Sequence, residues 1–308
     1  MTNNLAPIVV FAYDRPNHLR QTLDALAKND LASESVLYIY CDGAKDTATD
    51  EQQQRIIENR KVAHAAAGFR ELHVIEREKN RGLADNIIGA VTEIVNQYGR
   101  VITLEDDVIT SPGYLRYMNE ALELYKDDDK VMHITGFMWH HRWPMPETFF
   151  YPVPECGGGW ATWYRAWKHF NNDVQELYDY WKNDWTKFNT FGGTVFQEQL
   201  QANLDGRLRT WFVKWHAVVL QRNGLTLYPG KSLTTNIGFD GSGSNCMASS
   251  TNPFYYKTLA QCITVKRIPI KEHKMGRYQI YCAQQGRFYS KRNRRSMLKY
   301  FVELIKHM

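Results

Sequence analysis

Short apolar runs alternate with helically spaced ones along the first 136 residues. Pro7 to Tyr13 is an apolar run that closes on the turn formers Asp14-Arg15-Pro16, which reads as a buried strand. Leu19, Leu23, Leu26 and Ala27 then recur every third or fourth position, predicting a helix over 17–28. Val36 to Cys41 is a second strand candidate, closed by Asp42-Gly43, and a polar helix candidate covers 47–66. Leu72 to Ile75 predicts a third strand. Leu83 to Val95 predicts a helix with Ile87, Ile88, Val91 and Ile94 on one face. Val101 to Leu104 predicts a fourth strand, which runs straight into Glu105-Asp106-Asp107, and a helix is expected near 112–125. This alternation implies an α/β fold with a mainly parallel sheet and ligands at the C-terminal ends of its strands.

The pattern weakens after about residue 137. Residues 138–190 are rich in Trp, Tyr, His and Asn, and read as an acceptor-side lobe on the same sheet. The expected organisation is a ligand-binding half over 1–136, a second half of the same domain over 137–250, and an extension over 251–308. The last stretch combines Lys291, Arg292, Arg294 and Arg295 with apolar positions at helical spacing, predicting a basic amphipathic helix. Lys291 to Met308 is therefore a candidate for contact with an anionic bilayer surface. A helix packed on the body with solvated charges is the plainer alternative.

Composition narrows the class. The 308 residues are 44% hydrophobic and 23% charged, so a large core is available and disorder is not expected. Aromatics reach 13%. They suit sugar-stacking clefts, although a Trp-rich core accounts for them equally well. The net charge of +5 suits an anionic small molecule or membrane surface, and no nucleic-acid motif accompanies it. Five cysteines without a CxxC pair favour a reducing compartment. With no signal-peptide pattern at the N-terminus, the expected location is cytoplasmic, peripheral at the inner membrane face through the tail.

The chemistry concentrates at strand ends. Three consecutive carboxylates at the exit of a buried strand repel one another and call for a cation. Oxygen ligands suit Mn²⁺ or Mg²⁺ bridging to a diphosphate. A helix start decorated with acids would give the same triplet. The other strand ends carry Asp14-Arg15, Asp42 and Asn80-Arg81-Gly82. An Asp there can accept from a base or ribose, an Arg can pair with a diphosphate, and a Gly admits the backbone closely.

The stretches PIVVFAYDRP, the strand ending CDG, NRGLADNI and VITLEDDVITSPGYLRYMNEAL resemble, in that order, the GT-A glycosyltransferases. The N-acetylglucosaminyltransferase I-like branch and its bacterial surface-glycan relatives share the EDD. The resemblance continues through GGGWATWYRAWKHF (157–170) and NGLTLYPGKSLTTNIGFDGSG (223–243) and covers about 5–245. It implies a Rossmann-like GT-A fold and an inverting, metal-dependent transfer from a nucleotide-sugar donor, UDP foremost, to a glycan or lipid-linked glycan. By the same resemblance Asp107 is the direct metal ligand. Glu105 and Asp106 meet the donor sugar and ribose, Asp42 reads the base, and Arg15 meets the diphosphate. Gly158, Gly159 and Trp160 shape the sugar and acceptor pocket. Tyr13, Asn80 and Gly82 complete the expected donor set.

Two departures weaken the parallel. Relatives carry an acid just before the Trp that corresponds to Trp211, and this chain reads Arg209-Thr210-Trp211 there. Asp205 is the nearest carboxylate and the leading candidate for the base, with Glu198, His216 and Asp240 behind it. A helix expected over 207–221 would also make Asp205 an N-cap. Asn245 replaces the His that relatives place after GFDGSG, leaving a weaker metal ligand. These departures keep alive a catalytically silent carbohydrate-binding protein on the same fold. A sugar nucleotidyltransferase is disfavoured, because the first loop, AYDRPNH, holds no Gly.

Overall fold

The structure, a computed structural model, describes residues 5–190, 194–242 and 254–284. The alternation predicted for the first half is present: β1 (Ile8–Ala12), α1 (Pro16–Ala27), β2 (Val36–Cys41), α2 (Asp50–His64), β3 (Glu71–Glu76), α3 (Leu83–Tyr98) and β4 (Arg100–Glu105). Local chemistry sets the helix ends. Pro16 starts α1, where its missing N–H costs nothing. Thr49 and Gln52 form a reciprocal capping box on α2. Gly99, at φ 77°, ends α3 in the left-handed conformation, with its N–H on the Val95 carbonyl.

The chain continues through β5 (Val108–Thr110), α4 (Tyr114–Leu124), β6 (Val131–Thr135), β7 (Thr148–Tyr151) and β8 (Trp160–Trp163). Five helices follow: α5 (Tyr164–Trp167), α6 (Val174–Trp181), α7 (Trp185–Phe188), α8 (Val195–Leu204) and α9 (Phe212–Gln221). Then come β9 (Leu225–Pro229), β10 (Thr234–Asn236) and α10 (Lys274–Gln284).

Eight strands form one sheet in the order β3-β2-β1-β4-β8-β6-β9-β7. β3, β2, β1 and β4 are mutually parallel. β8 is inserted antiparallel between β4 and β6, and β7 runs antiparallel on β9. Strands from both sides of residue 136 thus share a single sheet. β5 and β10 pair separately as a small antiparallel ribbon.

The sheet is covered on both faces, which is why β1 reads as an unbroken apolar run. Ile8, Val10 and Ala12 pack with Leu19, Leu23 and Leu26 of α1 on one face. Val9 and Phe11 pack with Ile87, Val91 and Ile94 of α3 on the other. That second core absorbs the tryptophans. Trp160 stacks on Trp211 with centroids 5.0 Å apart, and Trp167 contacts both Trp211 and Trp215.

One expectation changes. The helix expected over 207–221 is shorter at its start. α8 stops at its C-cap Asp205, because Gly206 turns left-handed at φ 71°, and α9 begins only at Phe212. Asp205 therefore closes a helix and does not cap the start of one. The extension after 250 packs on the sheet. Phe150 bridges Glu272, the His273 N–H donates to the Phe150 carbonyl, and this segment covers the β7 edge of the sheet. The basic tail Lys291 to Met308 lies outside the described residues. No helix among the described residues is long and apolar enough to cross a membrane.

Candidate active site

β4 carries Glu105 at its C-terminal end, in register with Phe11 of β1. The triplet turns directly into β5 and its backbone is fixed from two sides. The Thr22 hydroxyl donates to the Asp106 carbonyl at 2.8 Å, and the Ile237 N–H to the Asp107 carbonyl at 2.9 Å. The carboxylates are fixed as well. Arg15 pairs with Asp106 and, at 3.0 Å, with Oδ2 of Asp107. The Asn236 amide donates to Oδ1 of Asp107 at 2.9 Å. Gly238 sits so close that a Cβ there would lie 2.0 Å from that Oδ2. This position requires a residue without a side chain.

The electrostatics are unbalanced. Burial, then Asp107 and Asp106, push the Glu105 carboxyl up to about 8. Burial pushes Asp106 up to about 7, against the pull of Arg15. Burial opposes the charge of Arg15, yet Asp106 and Asp107 hold its pKa above the ordinary value. A fourth carboxyl, Glu155, is buried nearby and adds to the repulsion on Glu105. Burial raises it to about 7, and its Oε2 has no hydrogen-bond partner. One guanidinium does not neutralise such a cluster. Its hard oxygen donors are of the kind that Mn²⁺ or Mg²⁺ takes. Among the described residues, no three His, Cys, Asp or Glu side chains converge as a self-sufficient metal cage. A cation here would need oxygens from a ligand as well.

The neighbouring strand ends complete a cavity of about 290 Å³. Tyr13, Arg15, Asp42, Asn80, Gly82 and all three acids of the triplet line it. Asp42 is buried and its carboxylate accepts four hydrogen bonds. They come from the N–H groups of Gly43, Arg81 and Gly82, each at 2.9 Å, and from the Asn80 amide at 3.0 Å. Four is the usual capacity of a carboxylate. Asp42 thus fixes the loop that leads into α3, where Gly82 adopts φ 77°. The N-terminal residues Leu83 and Ala84 of that helix also line the cavity.

Other candidates lie elsewhere. Trp160 is buried between Trp211 and His133 and does not line the cavity. Gly159 packs beneath Tyr114, whose hydroxyl a Cβ would meet at 2.6 Å, and it does not line the cavity either. Asp205 is exposed, paired with Arg207 at 2.8 Å and held below the usual carboxylate range by that bond, away from the cavity. Glu198 is exposed on α8. His216 is buried on the Phe188 carbonyl at 2.8 Å. Asp240 faces His18 at 3.1 Å and is held low by Ser242, which does line the cavity. Asn245 lies outside the described residues. Sequence reasoning missed Asn236, Gly238, Glu155 and the cavity cations Lys45 and Arg209. Arg209, where the resemblance leads one to expect an acid nearby, pairs with Asp85 at 2.5 Å.

The family model for glycosyl transferase family 2 matches residues 8–200. The chain belongs to glycosyl transferase family 2. The matched segment runs from β1 into α8 and contains the triplet, Arg15 and the Asp42 loop. It stops short of Asn236 and Gly238. The mainly parallel sheet with flanking helices is the GT-A fold. Among solved structures, TarS of S. aureus is 18% identical over 47% of this chain and 24% of its own, with a TM-score of 0.32. The chain thus spans about a quarter of TarS. The CMP:2-keto-3-deoxy-manno-octonic acid synthetase complexed with CTP is 12% identical over 66% of this chain and 100% of its own, with a TM-score of 0.33. No curated protein matches the chain.

Proposed function

We propose that this family 2 transferase takes a sugar from a UDP-sugar bound in the cavity at the ends of β1 to β4. The observation that supports this most is the triplet. Its three carboxylates line the cavity wall with one guanidinium among them, paired with Asp106 and Asp107. Asp107 would hold Mn²⁺ or Mg²⁺ together with the donor's diphosphate oxygens. Such an ion supplies positive charge against the leaving diphosphate. Asp106 and Glu105 orient the ribose and sugar. Arg15 meets the diphosphate, and Tyr13 flanks the nucleotide. The Asp42-Asn80-Gly82 joint keeps α3 aimed at it. The acceptor is a glycan or lipid-linked glycan of surface-polysaccharide assembly, and transfer inverts the anomeric centre.

The proposal is tested by a thermal-shift panel of nucleotide sugars with and without Mn²⁺. A UDP-sugar should raise the melting temperature only when the ion is present. No shift with any nucleotide sugar would overturn it. A carbohydrate-binding protein without activity is the second reading. It is favoured by Arg209 standing at the cavity in the stretch where a base was expected. Slow release of UDP from a UDP-sugar in Mn²⁺ would exclude it.

A further inference from the structure

We propose that Arg15 is a resident counter-ion, which yields Asp106 and Asp107 to a divalent cation only when a diphosphate arrives to take its guanidinium. This rests on the reading of the triplet as a cation and diphosphate site. Both oxygens of Asp107 are engaged, Oδ1 by Asn236 and Oδ2 by Arg15. Arg15 also holds Oδ1 of Asp106. The guanidinium therefore covers the carboxylate edges that a cation would need.

It is also confined. The Arg15 side chain is only 15% exposed. A Cβ on Gly238 would lie 2.9 Å from its Nη1, so the 236–238 strand end closes over the pair. A dication entering beside a seated Arg15 would meet a positive charge within contact distance, in a partly buried setting where water screens poorly. Moving the guanidinium away unaccompanied would strand a buried charge. A diphosphate removes both obstacles, because it offers oxygens to the displaced guanidinium and to the cation together. Arg15 lies in the loop between β1 and α1, beside these acids and on the cavity wall. The exchange then requires only its side chain to swing. Metal and nucleotide binding become coupled, and bare metal is held weakly.

The test is a titration of the full chain with Mn²⁺ alone, followed by the electron paramagnetic resonance signal of free Mn²⁺, and then the same titration with UDP. Arg15→Met should bind bare Mn²⁺ on the order of tenfold more tightly than the native chain, and UDP should enhance its Mn²⁺ affinity less. Arg15→Gln, which keeps hydrogen-bond donors without the charge, should behave alike, and Arg15→Lys should stay weak. If uncompensated acids impair folding of the Met variant, Mn²⁺ should raise its melting temperature more than that of the native chain. Bare-Mn²⁺ affinity in Arg15→Met and Arg15→Gln equal to or below native would overturn the inference, while Mn²⁺ uptake by the native chain with UDP would leave the cation reading standing. Absence of uptake by the native chain with UDP would remove both.

Discussion

Two acidic sites face the same cavity and differ in how their charge is met. Asp42 is surrounded by four donors, three of them backbone N–H groups. The triplet's one guanidinium pairs with Asp106 and Asp107 only, and Glu105 and Asp106 are pushed up to about 8 and about 7. A carboxylate whose lone pairs are filled by the chain itself is a joint: its energy is spent on holding a loop. A cluster left short of positive charge is where an external cation gains most. Both look alike in a sequence, as acids at strand ends. Their surroundings separate them.

The contrast can be sharpened by substitution, beginning with the largest effect. Asp107→Ala should lower sugar transfer by about a thousandfold or more. Its melting temperature without metal should stay level or rise, since a repelling charge is gone. A large loss of stability instead would make Asp107 a joint like Asp42. Gly238→Ala should lower transfer by about a hundredfold, since the Cβ must displace the Asp107 carboxylate. Unchanged steady-state rates would show that the Asp107 position is not critical.

Asp42→Ala should do the reverse of Asp107→Ala. It leaves backbone donors of residues 43, 81 and 82 without their acceptor, and should cost about 3 kcal/mol of stability by chemical denaturation. Its affinity for Mn²⁺ in the presence of saturating UDP should stay within a few fold of native. Asn80→Ala removes one of the four bonds and should cost about 1 kcal/mol in the same experiment. If Asn80→Ala were as damaging as Asp42→Ala, the loop would hang on Asn80 alone, which also donates to the Gly43 carbonyl at 2.8 Å.

The legible parts of this protein are those whose pattern is local. β1 to β4 and the helices between them were readable because strand and helix periods alternate and turn residues close each run. The acids at the strand ends followed from that order. The Trp-rich half was not legible in the same way. Trp160 carries one letter whether it faces a sugar or stacks on Trp211, and only the antiparallel insertion of β8 decides it. Asp205-Gly206 is itself a turn signal, but it closes α8, so Asp205 is the C-cap of that helix and not the N-cap of the next. Asn236 and Gly238 could not be found by pattern. They reach Asp107 through a three-residue ribbon between segments 129 positions apart. Nothing in the periodicity of either segment announces that pairing.

The measurement that most directly tests the triplet as the cation and diphosphate site is calorimetric binding of UDP. It should be run in Mn²⁺ and in chelator, on the native chain and on Asp107→Asn. The account predicts that Mn²⁺ tightens UDP binding to the native chain by at least tenfold or so, a coupling of typical size for linked ligands. It also predicts that Asp107→Asn abolishes the difference between the two buffers. UDP binding of equal strength in Mn²⁺ and chelator, or an Mn²⁺ effect that survives Asp107→Asn intact, would contradict it.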